Sequence, residues 1–289
     1  MRKVVPAMLV SMLAFAGCAS PGKIGLAPGD AADPGKARVV RPGDVADIRF
    51  LCRLQSGEVV AATDKAVGQQ EDLPKSAVFR LRDKDVPLAV TATASLPKTP
   101  GSKEAAFEEE IINRLTGVIV GMKAGETRTV NLAAEELPER GKDDYLIRVA
   151  RIRVRPKEMR MPIGDYQART GKPPEVGQPF IIDPAVQGKV EAVTQEEVVI
   201  RFSAQPGSVV PTPFGPGRIR ETEKNYEIVI GAREGALVRT GPLVGRITDV
   251  DEQFITIDYR NPFGGETLIC DVAVEKVSEA KPAKSGTKE

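Results

Sequence analysis

Thr267-Leu268-Ile269-Cys270-Asp271-Val272-Ala273-Val274-Glu275-Lys276-Val277 is the stretch whose reading decides the fold. Leu268, Cys270, Val272 and Val274 fall on one face of an extended chain. Ile269, Asp271, Ala273 and Glu275 fall on the other. That alternation predicts a half-buried central strand. The competing run is residues 145–154, where Arg148, Arg151 and Arg153 put charge on both faces. Cys270 is one of three cysteines, with Cys18 and Cys52. In an oxidising compartment Cys52 and Cys270 can pair or remain buried apolar residues, and spacing alone leaves both open.

Working back from that strand, the chain reads as nearly all β from Pro174 onward. Gly188-Lys189-Val190-Glu191-Ala192-Val193 returns 57 residues later as Gly245-Arg246-Ile247-Thr248-Asp249-Val250. Val198-Val199-Ile200-Arg201-Phe202 returns as Ile255-Thr256-Ile257-Asp258-Tyr259. Each copy is a strand, a polar turn and a second strand, which predicts a duplicated hairpin. Pro213-Phe214-Gly215 and Pro262-Phe263-Gly264 follow the copies at different distances.

Further upstream, Phe107, Ile111, Ile112, Leu115 and Ile119 recur at helical spacing. Glu108, Glu109 and Glu110 suit the positive end of that helix, and Gly121 follows its last turn. This is the one convincing helix in the sequence. Residues 127–132 form a strand after it. Residues 45–52 form a strand before it, followed by a Ser56-Gly57 turn and Val59-Val60. Residues 64–105 are polar and contain proline, with strand-like runs at 77–79 and 88–91.

The N-terminus carries Met1-Arg2-Lys3, an apolar run over residues 4–15, then Ala16-Gly17-Cys18. Two cations, a short apolar segment and small residues before a cysteine resemble a bacterial lipoprotein signal. The expectation is a signal over residues 1–17, lipid on Cys18, and a cell-envelope protein anchored to a membrane. Ala19-Ser20 after Cys18 lacks the acidic residue of inner-membrane retention, which favours the outer membrane facing the periplasm. Residues 18–38 read as a flexible Gly-, Ala- and Pro-rich tether and residues 278–289 as a disordered tail.

A formal net charge of +1 gives no global field for nucleic acid. The absence of histidine excludes a Ser-His-Asp triad, a Cys-His pair and the common catalytic zinc sites. No metal cluster and no cofactor are expected.

The Val40-x-x-Gly43-Asp44 opening, the Phe50 strand and the Leu54-Gln55-Ser56-Gly57 turn resemble FKBP-type peptidyl-prolyl cis-trans isomerases. So do the helix, the Gly121-Met122-Lys123-Ala124-Gly125-Glu126 block and Val130-Asn131-Leu132. Residues 258–268 resemble the "VDxNHPLAGxxL" closing segment of the SlyD-like branch, departing at the "NH" pair, which is Arg260-Asn261 here. The resemblance implies an α+β fold: an antiparallel sheet wrapped on one short helix, interrupted by an all-β insert-in-flap-like module. The implied bounds are 39–155 for the first part, 156–250 for the insert with its duplicated hairpin, and 251–277 for the closing segment. The alternation at 267–277 favours that strand over 145–154 as the one completing the sheet. In this arrangement the first long strand lies beside the closing one, so the resemblance implies that Cys52 and Cys270 approach, as a disulfide.

The implied activity is prolyl isomerisation, which needs no nucleophile. The twisted amide is less dipolar than the planar one, so an apolar pocket that excludes water favours it. Carried onto this sequence, the pocket comprises Phe50, Val60, Ile112, Leu115, Leu137, Phe263 and Cys270. The family's pocket carboxylate is lost at Val60-Ala61, its tyrosine near Leu137-Pro138-Glu139, and its tryptophan is Leu115. No catalytic residue is assigned. The implied partners are proline-containing or unfolded polypeptides, and the membrane through the lipid on Cys18. The alternative is a catalytically inactive relative that binds unfolded or partner chains.

Overall fold

The computed structural model describes residues 38–82, 84–94, 106–138 and 145–279. The signal, Cys18, most of the tether and most of the tail therefore lie outside the described residues. The first part of the chain supplies β1 (Val45–Arg53), β2 (Val59–Ala62), α1 (Lys65–Gln69), β3 (Leu88–Thr91), α2 (Phe107–Val118) and β4 (Thr127–Ala133). A strand ribbon follows as β5 (Leu146–Ala150), β6 (Ile152–Pro156) and β7 (Glu158–Pro162), ending in α3 (Ile163–Thr170). Three meanders come next. They are β8 (Pro179–Asp183), β9 (Val186–Val193) and β10 (Glu197–Ser203); β11 (Val209–Thr212), β12 (Gly215–Glu221) and β13 (Asn225–Ile230); and β14 (Leu237–Thr240), β15 (Leu243–Val250) and β16 (Phe254–Asp258). The last strand is β17 (Thr267–Ser278).

β17 lies in the middle of the first sheet, whose order is β2-β1-β17-β4, with β3 also paired to β1. Its Leu268, Cys270, Val272 and Val274 are all buried, because alternate residues face one core. They meet Ile48, Phe50, Val60, Phe107, Ile111, Leu115, Ile119 and Met122 in the largest apolar cluster. Cys52 stands opposite Cys270 in the antiparallel register. The two are joined in a disulfide with a Cα–Cα distance of 4.1 Å. The turn after α2 is tied to both ends of this sheet: Gly121 N–H donates to Val40 O and Gly125 N–H to Val274 O.

The rest is a repeat built on the ribbon. β5 pairs with β16, β6 with β13 and β7 with β10, so each ribbon strand completes one meander as a four-stranded antiparallel sheet. The chain runs out along the ribbon and returns through the meanders in reverse order. Hydrogen bonds repeat in step. Tyr259, Ile230 and Phe202 donate their N–H groups to the carbonyls of Tyr145, Arg151 and Lys157, six residues apart along the ribbon. Gly177, Gly207 and Gly235 donate to the carbonyls of Val190, Ile219 and Ile247 at the entrance of each meander.

The hairpin expected in two copies is therefore present in three. The middle one begins at Gly217-Arg218-Ile219, between Gly188-Lys189-Val190 and Gly245-Arg246-Ile247. The ribbon and meanders span residues 146–258, wider at both ends than 156–250.

The α+β expectation does not hold. Strand accounts for 48% and helix for 11%, in four antiparallel sheets with three helices among the described residues. The protein is mainly β, not a sheet wrapped on one short helix with an accessory module. α2 packs on the first sheet and meets the third meander at its first turn, where Phe107 N–H donates to Pro242 O. The other sheets form their own apolar clusters from residues alternating along strands, as in β13, where Tyr226, Ile228 and Ile230 are buried and Asn225, Glu227 and Val229 are not. α3, which lacks a long apolar period, is an additional helix that packs Tyr166 against Phe180 with ring centroids 5.5 Å apart.

Candidate functional site

A cavity of about 270 Å³ opens between the first sheet and α2. Phe50 from β1 and Ile112 from α2 form its apolar walls, together with Ala61 and Ala62 from β2 and Leu88 from β3. Arg80, Leu81, Arg82 and Glu108 complete the lining. Phe50 is held in place through its backbone: its N–H donates to Thr63 Oγ1 at 2.9 Å, and Thr63 N–H donates to Phe50 O at 2.9 Å. Thr63 is fully buried, so this pairing pins the end of β2 beside β1, where Ala61 and Ala62 join the lining.

The segment carrying Arg80 and Arg82 is anchored on both sides. Leu81 lies directly over Gly68 of α1, where a Cβ would stand 2.1 Å from Leu81 Cδ1, so a larger residue would push the exposed Leu81 side chain aside. Downstream, Asp85 accepts from Arg49 at 2.9 Å, and that guanidinium holds the Asp85 carboxyl below its ordinary range.

The charges around the cavity are unequal. Glu108 is engaged by Arg239, whose Nη2 and Nη1 donate to its two oxygens at 2.6 and 3.1 Å, while Nε donates to Val78 O. Arg82 Nη1 is buried and has no hydrogen-bond partner. A buried donor left unpaired is costly, and its natural complement is an oxygen acceptor, best an anionic one.

The expected pocket residues divide. Phe50 and Ile112 share the cavity. Val60, Leu115 and Cys270 are fully buried in the adjacent cluster and do not line it. Phe263 is also fully buried, edge-to-face on Phe107 with centroids 5.6 Å apart. Leu137 sits beyond β4, its N–H donating to Arg260 O at 2.8 Å, and lies away from the cavity. Reading the sequence alone missed Arg80, Arg82, Leu88 and Glu108. The available signal was the alternation Arg80-Leu81-Arg82 inside an otherwise polar stretch.

A larger groove of about 450 Å³ lies on the outer face of the middle meander, beside Val209, Arg218 and Val229. Its cations are already occupied: Arg218 donates to Gly207 O, and Arg151 to Ile230 O and Asp251 O. Size alone does not make it the better site. Among the described residues no group of three acidic or sulfur ligands is positioned for a metal ion. No helix among them is long and apolar enough to cross a membrane. No protein-family model matches the chain, and no curated protein matches it significantly.

Proposed function

We propose that this chain binds proline-containing or unfolded polypeptide segments in the Phe50–Ile112 cavity and catalyses cis-trans exchange of X-Pro bonds there. The observation carrying this reading is the cavity itself: an aromatic wall and aliphatic neighbours, in a volume suited to a proline ring, with no nucleophile and no need of one. The uncatalysed barrier of about 18–20 kcal/mol comes from amide resonance. Surrounding the bond with Phe50, Ile112 and Leu88 in place of water favours the less dipolar twisted amide. The motif resemblance to FKBP-type isomerases supports the same activity. A protease-coupled assay with proline tetrapeptides on the mature chain tests it: exchange accelerated above background is expected, and background rate at micromolar protein rejects catalysis.

A second reading, a binder without catalysis, is favoured by Ala61, which stands where the resemblance calls for a carboxylate. Suppressed aggregation of a denatured client without accelerated exchange would select it.

The same proposal includes lipid attachment at Cys18 and location at the cell envelope, on the periplasmic face of the outer membrane. Incorporation of labelled fatty acid, abolished in Cys18→Ser, is the expected result; a labelled Cys18→Ser chain would refute it.

A further inference from the structure

We infer that the cavity selects segments carrying a carboxylate next to the proline. This deepens the peptide-binding reading above and rests on it. Arg82 and Arg80 both line the cavity, and Arg82 Nη1 has no hydrogen-bond partner. Among the described residues the one carboxylate lining the cavity, Glu108, is bound on both oxygens by Arg239, so it does not neutralise Arg82. Ala61 and Ala62 offer no counter-charge from the sheet side.

An apolar pocket for the ring beside an unpaired guanidinium therefore matches a Glu-Pro or Asp-Pro unit. The carboxylate would pair with the Arg82 guanidinium and the ring would cover Phe50 and Ile112. Neutral segments leave the guanidinium unpaired, and lysine beside the proline adds repulsion.

The test uses amidated, N-acetylated peptides differing only at the residue before proline (Glu, Gln or Lys), titrated against the folded mature chain by calorimetry. A neutral peptide with a free C-terminus is included to separate a side-chain carboxylate from a terminal one. Glu is expected to bind about tenfold tighter than Gln, the scale of one charge-assisted hydrogen bond to a desolvated partner. Lys is expected to bind more weakly than Gln. Arg82→Met should bring the Glu-to-Gln ratio near one and Arg82→Lys should retain a preference, with circular dichroism confirming both fold.

Equal affinity for Glu and Gln overturns the inference while peptide binding stands. A Glu preference that survives Arg82→Met overturns it too, since the charge would then be read elsewhere. Tightest binding by the free C-terminus rejects the side-chain source. Binding of none of the peptides rejects the cavity as a polypeptide site altogether.

Discussion

Arg239 of β14 clasps Glu108 at the start of α2, with its guanidinium carbon 5.2 Å from the Phe107 ring centre. Phe107 N–H also donates to Pro242 O at 3.1 Å, so the third meander is fastened to the helix that forms one cavity wall. Arg239 is 8% exposed and its fork also satisfies Val78 O. Arg239→Met should destabilise the fold by about 2 kcal/mol, because the Val78 carbonyl and the Glu108 carboxylate both lose a charged donor. Urea denaturation measures this, and a change within a few tenths of a kcal/mol would contradict the role given to the fork.

Ile112 contributes to the cavity while packing, partly buried, against the main apolar cluster, so binding and folding are read side by side. Ile112→Asp should weaken proline-peptide binding at least about tenfold, by removing apolar contact and adding charge. Titration of a fluorescent peptide checks it, beside a melting curve that confirms the variant is folded at the assay temperature.

The Cys52–Cys270 bond closes a loop of 218 residues holding the ribbon and all three meanders. Removing both sulfurs, as Cys52→Ala with Cys270→Ala, should cost about 2–4 kcal/mol. Because both cysteines are fully buried, reductant should lower the urea midpoint only when present during unfolding. Two thiols alkylated in the native, unreduced protein would rule out the bond.

The sequence displayed the first sheet far better than the repeat, for physical reasons. β17 keeps one alternation phase over its length because both its neighbours, β1 and β4, belong to the same sheet; the buried set Leu268, Cys270, Val272 and Val274 was therefore readable. The ribbon changes partner sheet every six residues, with Arg151 and Lys157 at the changes. No single phase runs through it, and charge on both faces was the only visible sign. The middle meander escaped detection because its hairpin is shorter: Thr222 comes five residues after Gly217, where Thr194 and Asp251 come six after Gly188 and Gly245, and its pairing lacks the register shift of the other two. At the cavity, Phe50 and Ile112 were legible as motif positions. Arg82 was not, since nothing in its local pattern brings it beside Phe50 and Ile112.

Gly245 in the third meander has no space for a side chain. A Cβ there would stand 2.7 Å from Asp258 O and 2.8 Å from Tyr259 Cδ1. Gly245→Val should destabilise by about 1–3 kcal/mol through forced strand displacement. A loss confined to local amide protection in β15 and β16, read by hydrogen exchange, would locate the damage; unchanged protection there would contradict the packing.

Glu126 makes the turn between α2 and β4 sensitive to acid. The Lys123 N–H, and then Arg128, hold its carboxyl below the ordinary value of 4.5. A depressed folded value means the contribution is complete above that ordinary value and is lost as pH falls through the folded one. The stability gap between wild type and Glu126→Gln should therefore shrink as pH drops from about 5 toward 3. Paired denaturation curves across that range check the direction, and a gap that widens in acid would reverse it.

The matched stepping of ribbon and meanders constrains how such an array changes in length. Inserting another meander alone would leave it without its ribbon strand, a three-stranded sheet with a bare flank open to pairing with other chains. Growth by one unit demands two coordinated insertions, a short one in the outgoing strand and a longer one on the return. A simple tandem duplication supplies only the second, so copy number in this architecture resists the slippage that readily lengthens single-pass solenoids.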